Sequence, residues 1–333
     1  MPSNDSGDWQ PAAALDILKL RARMLKRIRA FFFERGVLEV ETPILSSAAT
    51  TDPTLASLAT RYTGPLFPRG RALYLHTSPE FPMKRLLAAG SGSIYQVCKV
   101  FRDGEAGRLH NPEFTMIEWY RVGFDHHRLM DETGELVMQL LASSLSLQAA
   151  EKLTYREAFQ LNTGVDPHAA TAEEFARAAE RHHINVPRDL RGHDDLSIWR
   201  DLLLTHIVEP RLGQGRLTFL YDYPASQASL ARVQPGDPPL AARFELYLNG
   251  VELANGFHEL ADADEQRARF ERQQHARAAA GLPAMPMDAH LLGALGHGLP
   301  DCAGVALGFD RLVMLAAGAR SIAEVIAFPI DRA

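Results

Sequence analysis

The chain is poor in cysteine: Cys98 and Cys302 are its two, far apart in 333 residues. No disulfide framework can be built from them, and both read as buried free thiols of a reducing compartment. Apolar runs of the ~18 residues a membrane span needs are absent, and the N-terminus lacks a signal-peptide core. Basic excess is missing too: 35 lysines and arginines against 41 aspartates and glutamates leave a net charge of −6. That balance argues against a dedicated nucleic-acid surface. There are no internal repeats and no low-complexity linkers. What remains, 46 % hydrophobic and 23 % charged, is expected to be a cytoplasmic globular protein of one large domain or two small ones. Residues 1–11 read as a flexible N-terminus before a single domain over 12–333.

Chemistry concentrates around Val100–Arg121, VFRDGEAGRLHNPEFTMIEWYR. Apolar, β-branched and aromatic runs flank a polar loop, which predicts two antiparallel strands. Alternation sets Met116, Glu118 and Tyr120 on one face and Thr115, Ile117 and Trp119 on the other. With Arg102, Arg108 and His110 close by, this suits a ligand carrying both charges. Upstream, Leu18, Leu25, Ile28 and Phe32 fall at helical spacing and Gly36 ends the helix, followed by a strand over Val37–Pro43. Tyr74–Gly90 reads as strand, loop and helix, with Ser78 as cap and Glu80 just inside.

A second constellation is FELYLNGVELANGFHEL (Phe244–Leu260). Asn249-Gly250 between alternating apolar runs predicts a hairpin. Pairing outward from that turn sets Tyr247 opposite Glu252 and Glu245 opposite Ala254. Glu245 and Glu252 then share a face, roughly 7–8 Å apart. Like charges so placed need a cation between them, and hard oxygens completed by phosphate and water suit Mg²⁺. Asn255, Phe257 and Glu259 alternate along one further wall. The third constellation is DCAGVALGFDRLVMLAAG (Asp301–Gly318). Its strand ends at Gly308, where a flat ring can approach the backbone, and a helix start by Asp310-Arg311 favours phosphate. Residues 126–215 read as a helical, charged insertion. His182, His183 and His193 there lack ligand spacing and read as exposed.

F-R-x-x-E…R-x-H-N-P-E-F-T-M-x-E-x-Y resembles motif 2 of class II aminoacyl-tRNA synthetases in the lysyl-tRNA synthetase form. Ser78-Pro79-Glu80 with K-R-L, the stretch E-L-A-N-G-F-H-E-L, and G-F-D-R as motif 3 resemble the same family, and the N-terminal helix–strand pair resembles motif 1. The resemblance implies an α+β fold, an antiparallel sheet flanked by helices, a homodimer, and ATP with Mg²⁺. It implies that Arg102 meets the α-phosphate and substrate carboxylate, that Arg311 meets the γ-phosphate, and that Glu245 and Glu252 hold Mg²⁺. Asp103, Gly104, Glu105, His110, Asn111, Phe114, Leu253 and Gly308 would line the nucleotide. Glu80 would take the backbone-side amine, Glu118, Tyr120 and Glu259 the distal ammonium, with Ser78, Pro79, Asn255, Phe257 and Ala306 around them.

Three departures bear on function. The pattern starts near residue 15, so no anticodon-binding barrel is expected before it. Ala306 stands where the synthetases have glycine against the amino-acid pocket. Gly104 stands where a glutamate usually reads adenine, and Glu105 follows it. A synthetase core so altered resembles the elongation factor P–(R)-β-lysine ligase family, which implies (R)-β-lysine activation and transfer to a lysine of elongation factor P. Open beside it are an adenylate-forming enzyme using α-lysine with another acceptor such as tRNA, a regulator sensing lysine or ATP, and a scaffold.

Overall fold

The structure, a computed structural model, describes residues 9–186 and 195–333. In chain order the elements are α1 (Leu15–Glu34), β1 (Leu38–Glu39), β2 (Leu45–Ser46), β3 (Ala59–Tyr62), β4 (Arg71–Leu75), α2 (Glu80–Ala88), β5 (Ile94–Phe101) and β6 (Glu113–Val122). Then come α3 (His126–Leu141), β7 (Gln148–Thr154), α4 (Tyr155–Thr163), α5 (Ala172–Arg181), α6 (Leu196–Leu203), β8 (Arg216–Pro224), β9 (Val233–Gln234), β10 (Leu240–Leu248) and β11 (Val251–His258). The chain closes with α7 (Ala263–Ala279), α8 (Ala289–Gly298), β12 (Cys302–Gly308) and α9 (Phe309–Ala317). Internal contacts group the chain into two compact units: Met1–Val122 with Ala261–Asp301 and Ala306–Ala333, and Gly123–Leu260 with Cys302–Val305.

In the first unit, α1 buries Met24, Ile28, Phe31 and Phe32, with Leu18 and Leu25 half-buried at the margin of the stripe. The helix stops at Gly36, whose φ of +63° lets the N–H groups of Gly36 and Val37 turn back onto the Phe33 and Phe32 carbonyls. Of the strand predicted over Val37–Pro43, Leu38 and Glu39 form the strand, parallel to β5, and the Val40 N–H adds a bond to the Tyr95 carbonyl at 2.9 Å. Phe32 stacks on Tyr95 at 4.3 Å and meets the edge of Trp119 at 5.3 Å. Burying such rings contributes about 1.5–3 kcal/mol each and clamps α1 to the hairpin that carries the central motif. Strands here follow the order β1-β5-β6-β12, and β2-β4-β3 form a separate small sheet.

The second unit runs β12-β11-β10-β8-β7, with β9 beside β10. Capping boxes at Thr154/Glu157 and Thr171/Glu174 start α4 and α5, each satisfying two orphan N–H groups. Tyr155, Phe159, Trp199, Leu203 and Tyr223 are among the side chains that fill the core beneath the sheet. Residues 126–215 are therefore not wholly helical: Gln148–Thr154 is an outer strand paired parallel with β8. Its sequence, QAAEKLT, has mostly residues of low strand propensity and an exposed side, so periodicity hid it. Asn249 and Gly250 both take positive φ, +51° and +72°, giving the tight hairpin turn that right-twisted strands require.

His183 is exposed and His182 half-buried; His193 and residues 1–8 lie outside the described residues. Cys302 is buried and Cys98 half-buried, with its thiol pushed up to about 12 by burial and then by Glu118. Among the described residues no helix is long and apolar enough to cross a membrane.

Candidate active site

The β5–β6 pairing sets Gln96 opposite Glu118 and Cys98 opposite Met116, and both faces of β6 are buried from Thr115 to Tyr120. Glu118, 2 % exposed, accepts hydrogen bonds from the Ser78 hydroxyl to Oε2 and the Tyr120 hydroxyl to Oε1, each at 2.6 Å. Both donors are neutral, so they orient the carboxylate without cancelling its charge. Ser78 also accepts the Glu80 N–H at 3.0 Å. The residue preceding α2 is Pro79, so Ser78 satisfies the helix start from one position further back than a cap. Glu80 pairs with the buried ammonium of Lys84 at 2.6 Å, one turn along α2. Sequence spacing gave Lys84 no role; its position four residues after Glu80 was the available signal.

Arg102 leaves β5 half-buried, its guanidinium 5.1 Å from the Phe114 ring centre and 3.6 Å from Glu105. Its Nε is buried and finds no acceptor among the described residues. An orphan guanidinium N–H costs about 1–3 kcal/mol, which an anionic ligand recovers. Gly104 has φ of +78°, where a glutamate would be strained. The turn thereby brings Glu105 back toward Arg102 and leaves Asp103 exposed. The Phe101 N–H to His76 carbonyl and Asp103 N–H to Ala56 carbonyl bonds, 3.0 and 2.8 Å, fix the chain on both sides of Arg102.

Arg311, in the first turn of α9, donates to His110 Nε2 at 2.8 Å and to the Leu109 carbonyl at 3.3 Å. Burial, and after it the Arg311 charge, lower the His110 pKa below the ordinary 6.5. The ring is neutral at pH 7, with Nε2 as acceptor and the proton on Nδ1. For a histidine held neutral, falling pH protonates the unfolded chain first, so its contribution is lost below pH 6.5. We expect the acid limb of activity below that value, and His110→Gln to flatten the limb while the alkaline side stays put. A pH–rate profile of both proteins checks this.

Asn111 is buried with both ends engaged: Nδ2 donates to the Glu113 carbonyl at 2.6 Å and Oδ1 accepts the Ile330 N–H at 3.1 Å. Gly308 precedes α9, and Ala306 and Gly308 are half-buried in β12. Asp310 is not at the cap. It lies 1 % exposed, accepting the Thr115 N–H at 2.6 Å and pairing with Arg21. That pair ties α1, β6 and α9 together beneath Arg311.

In the second unit the hairpin starts as expected, Leu248 opposite Val251 and Tyr247 opposite Glu252. The register then shifts, and Glu245 faces Asn255 rather than Ala254. Leu253 is the extra residue of a β-bulge, buried at 2 %. Strict alternation would send Glu252 and Asn255 to opposite faces; the bulge returns Arg243, Glu245, Tyr247, Glu252, Asn255 and Phe257 to one face. Glu259 lies just past β11, buried, its N–H on the Cys302 carbonyl at 3.0 Å.

Glu245 Oε1 accepts from Arg243, and Oε2 accepts from the hydroxyls of Tyr223, at 2.6 Å, and Tyr247. Arg243 also donates to Asn255 Oδ1 at 3.3 Å and to the Gln227 carbonyl at 2.9 Å. Burial works against its charge, but Glu245, Tyr223 and Glu252 outweigh it and hold the guanidinium above its usual range. Burial, then Glu245, keep both tyrosines protonated. None of these partners stood out in the sequence, although Arg243 two residues before Glu245 in a strand shares its face.

Mg²⁺ fits this donor set in one way. Among the described residues no three histidine, cysteine or acidic side chains converge on a metal position. Two carboxylates, one of them already spending most of its lone pairs, suit an ion that keeps phosphate oxygens and water in its shell.

Residues 7–332 match the family model of class II tRNA synthetases (D, K and N). Over 330 residues, 99 % of this chain and all of each relative, the sequence is 51 % identical to proteins named elongation factor P–(R)-β-lysine ligase from Salmonella arizonae, Salmonella paratyphi B and Salmonella dublin. With the motif order, the α+β sheet and the paired acidic and arginine groups in place, the chain belongs to the class II tRNA synthetase family.

Proposed function

We propose that this protein is an ATP-dependent ligase that activates (R)-β-lysine as an adenylate and transfers it to a lysine side chain of elongation factor P. The observation that carries the amino-acid side of this reading is the buried Glu118, held by Ser78 and Tyr120 as an oriented anion for an ammonium group. A lysine-like ligand brings two cations and one anion, and burying them demands compensating partners. Glu118 answers the distal ammonium, Glu80 the other amine, and Arg102 the carboxylate. Full-length identity to the named ligases supports the acceptor.

In the first step the substrate carboxylate oxygen attacks the α-phosphorus, and the bond to pyrophosphate breaks. The carboxylate is already ionised, so no general base is needed; rate comes from in-line placement and charge neutralisation. Arg102 supplies that charge at the α-phosphate and Arg311 at the γ-phosphate. Glu252, with the remaining lone pair of Glu245, would hold Mg²⁺, which when bound neutralises the triphosphate. In the second step the acceptor amine, having lost its proton, attacks the adenylate carbonyl. An amide forms and AMP leaves.

Purified elongation factor P, incubated with this protein, ATP, Mg²⁺ and either (R)-β-lysine or α-lysine, is expected to gain one lysyl mass, faster with the β isomer. Pyrophosphate exchange without any mass gain would show the activation to be right and the acceptor wrong. The methyl of Ala306 bears on the choice of isomer, because a packed pocket registers one carbon by about 1–3 kcal/mol. Ala306→Gly is expected to shift the kcat/KM ratio toward α-lysine by about tenfold, measured by exchange with each amino acid. An unchanged ratio would remove this residue from the discrimination.

A further inference from the structure

From Pro53 to Pro79 the chain has no aspartate or glutamate, while Arg61, Arg69 and Arg71 fall within it. This stretch supplies β3 and β4 of the small β2-β4-β3 sheet, in which β3 pairs on one side alone among the described residues. Its tip is apolar and exposed: Leu66 is 79 % open and Phe67 38 %. The tip is also held in shape. Arg71 lies 4.7 Å over the Phe67 ring, Tyr62 meets that ring edge-on at 6.1 Å, and Arg61 donates to the Arg69 carbonyl at 2.6 Å. A preordered surface loses little entropy on binding.

The base of this arm is fastened to the loop that carries Arg102, through the Ala56–Asp103 and His76–Phe101 backbone bonds. From Arg71 the chain runs seven residues to Ser78, roughly 23 Å if extended, about the reach of a small protein domain. We propose that this acid-free arm is the docking surface for an acidic face of the acceptor protein, with Leu66 and Phe67 as apolar anchor and Arg69 and Arg71 as charged flank. The inference rests on the reading of the acceptor as a protein. An RNA duplex would call for a broader basic stripe and would not reward an exposed leucine. A second copy of the chain, meeting the arm with its own arm, would set arginine against arginine.

The test compares wild type with Arg69→Glu/Arg71→Glu and with Leu66→Asp. Wild-type melting and amino-acid-dependent pyrophosphate exchange should persist in both, since neither touches the chemistry. The KM for elongation factor P is expected to rise about tenfold or more with kcat unchanged, and the charge effect to shrink as salt is raised. A KM within about twofold of wild type, with exchange intact, overturns the arm and leaves the proposed activity standing. Loss of tRNA binding by the variants, with KM for elongation factor P unchanged, assigns the face to nucleic acid and overturns it too. Wild-type protein that exchanges pyrophosphate yet neither modifies nor binds elongation factor P sinks the acceptor assignment and the arm together.

Discussion

Glu252→Gln is expected to leave the protein folded and to lower amino-acid-dependent pyrophosphate exchange by about three orders of magnitude. The substitution keeps size and hydrogen-bonding capacity but removes an anionic oxygen. Glu252 is half-buried on the face it shares with Arg243 and Glu245, and no third acidic ligand stands in reserve among the described residues. Glu245 offers little replacement, because Arg243 and two tyrosine hydroxyls already occupy its oxygens. Titrating Mn²⁺ with ATP present, followed by its paramagnetic signal, separates this from a general loss of activity. Glu252→Gln should weaken that binding while the melting temperature holds. Wild-type exchange in the variant would end the assignment.

Arg243→Met should be the most destabilising single change on the β10–β11 hairpin. The Arg243 side chain is 17 % exposed and that of Glu245 9 %, so the pair is largely desolvated. Removing one partner of such a pair costs about 3–5 kcal/mol, mostly because the other charge stays buried. Urea denaturation would show the midpoint falling by the corresponding amount. The double variant Arg243→Met/Glu245→Gln should regain more than half of the loss, since the stranded charge is gone. Losses that simply add would mean that the two side chains stabilise the hairpin independently.

Much of the fold followed from local signals strong enough to survive tertiary context. The α1 stripe with its Gly36 stop, the β5–β6 pair and the Asn249-Gly250 hairpin are all set by periodicity or by turn chemistry that few other residues provide. What escaped was of two kinds. The outer strand Gln148–Thr154 has a sequence of weak strand propensity and is recruited by its neighbour β8. The partners of the acidic groups escaped because they meet across the fold: Ser78 reaches Glu118 from forty residues away, and Tyr223 reaches Glu245 from the adjacent strand. Lys84 and Arg243 are nearer in sequence, but an Arg or Lys beside a Glu is common, and its burial is a tertiary fact.

The bulge at Leu253 gives β11 one residue of slack that a regular strand lacks. Deleting Leu253 would set Ala254 directly after Glu252, and strict alternation would then keep Asn255 and Phe257 on the face they now share with Glu252. A second deletion, at Ala254, would have no extra residue to absorb it, and everything from Asn255 on would turn over. Phe257 would enter the slot now held by Gly256, which leaves no space for a Cβ beside Phe244. Losing one residue here is therefore expected to cost local twist, and losing two the face itself.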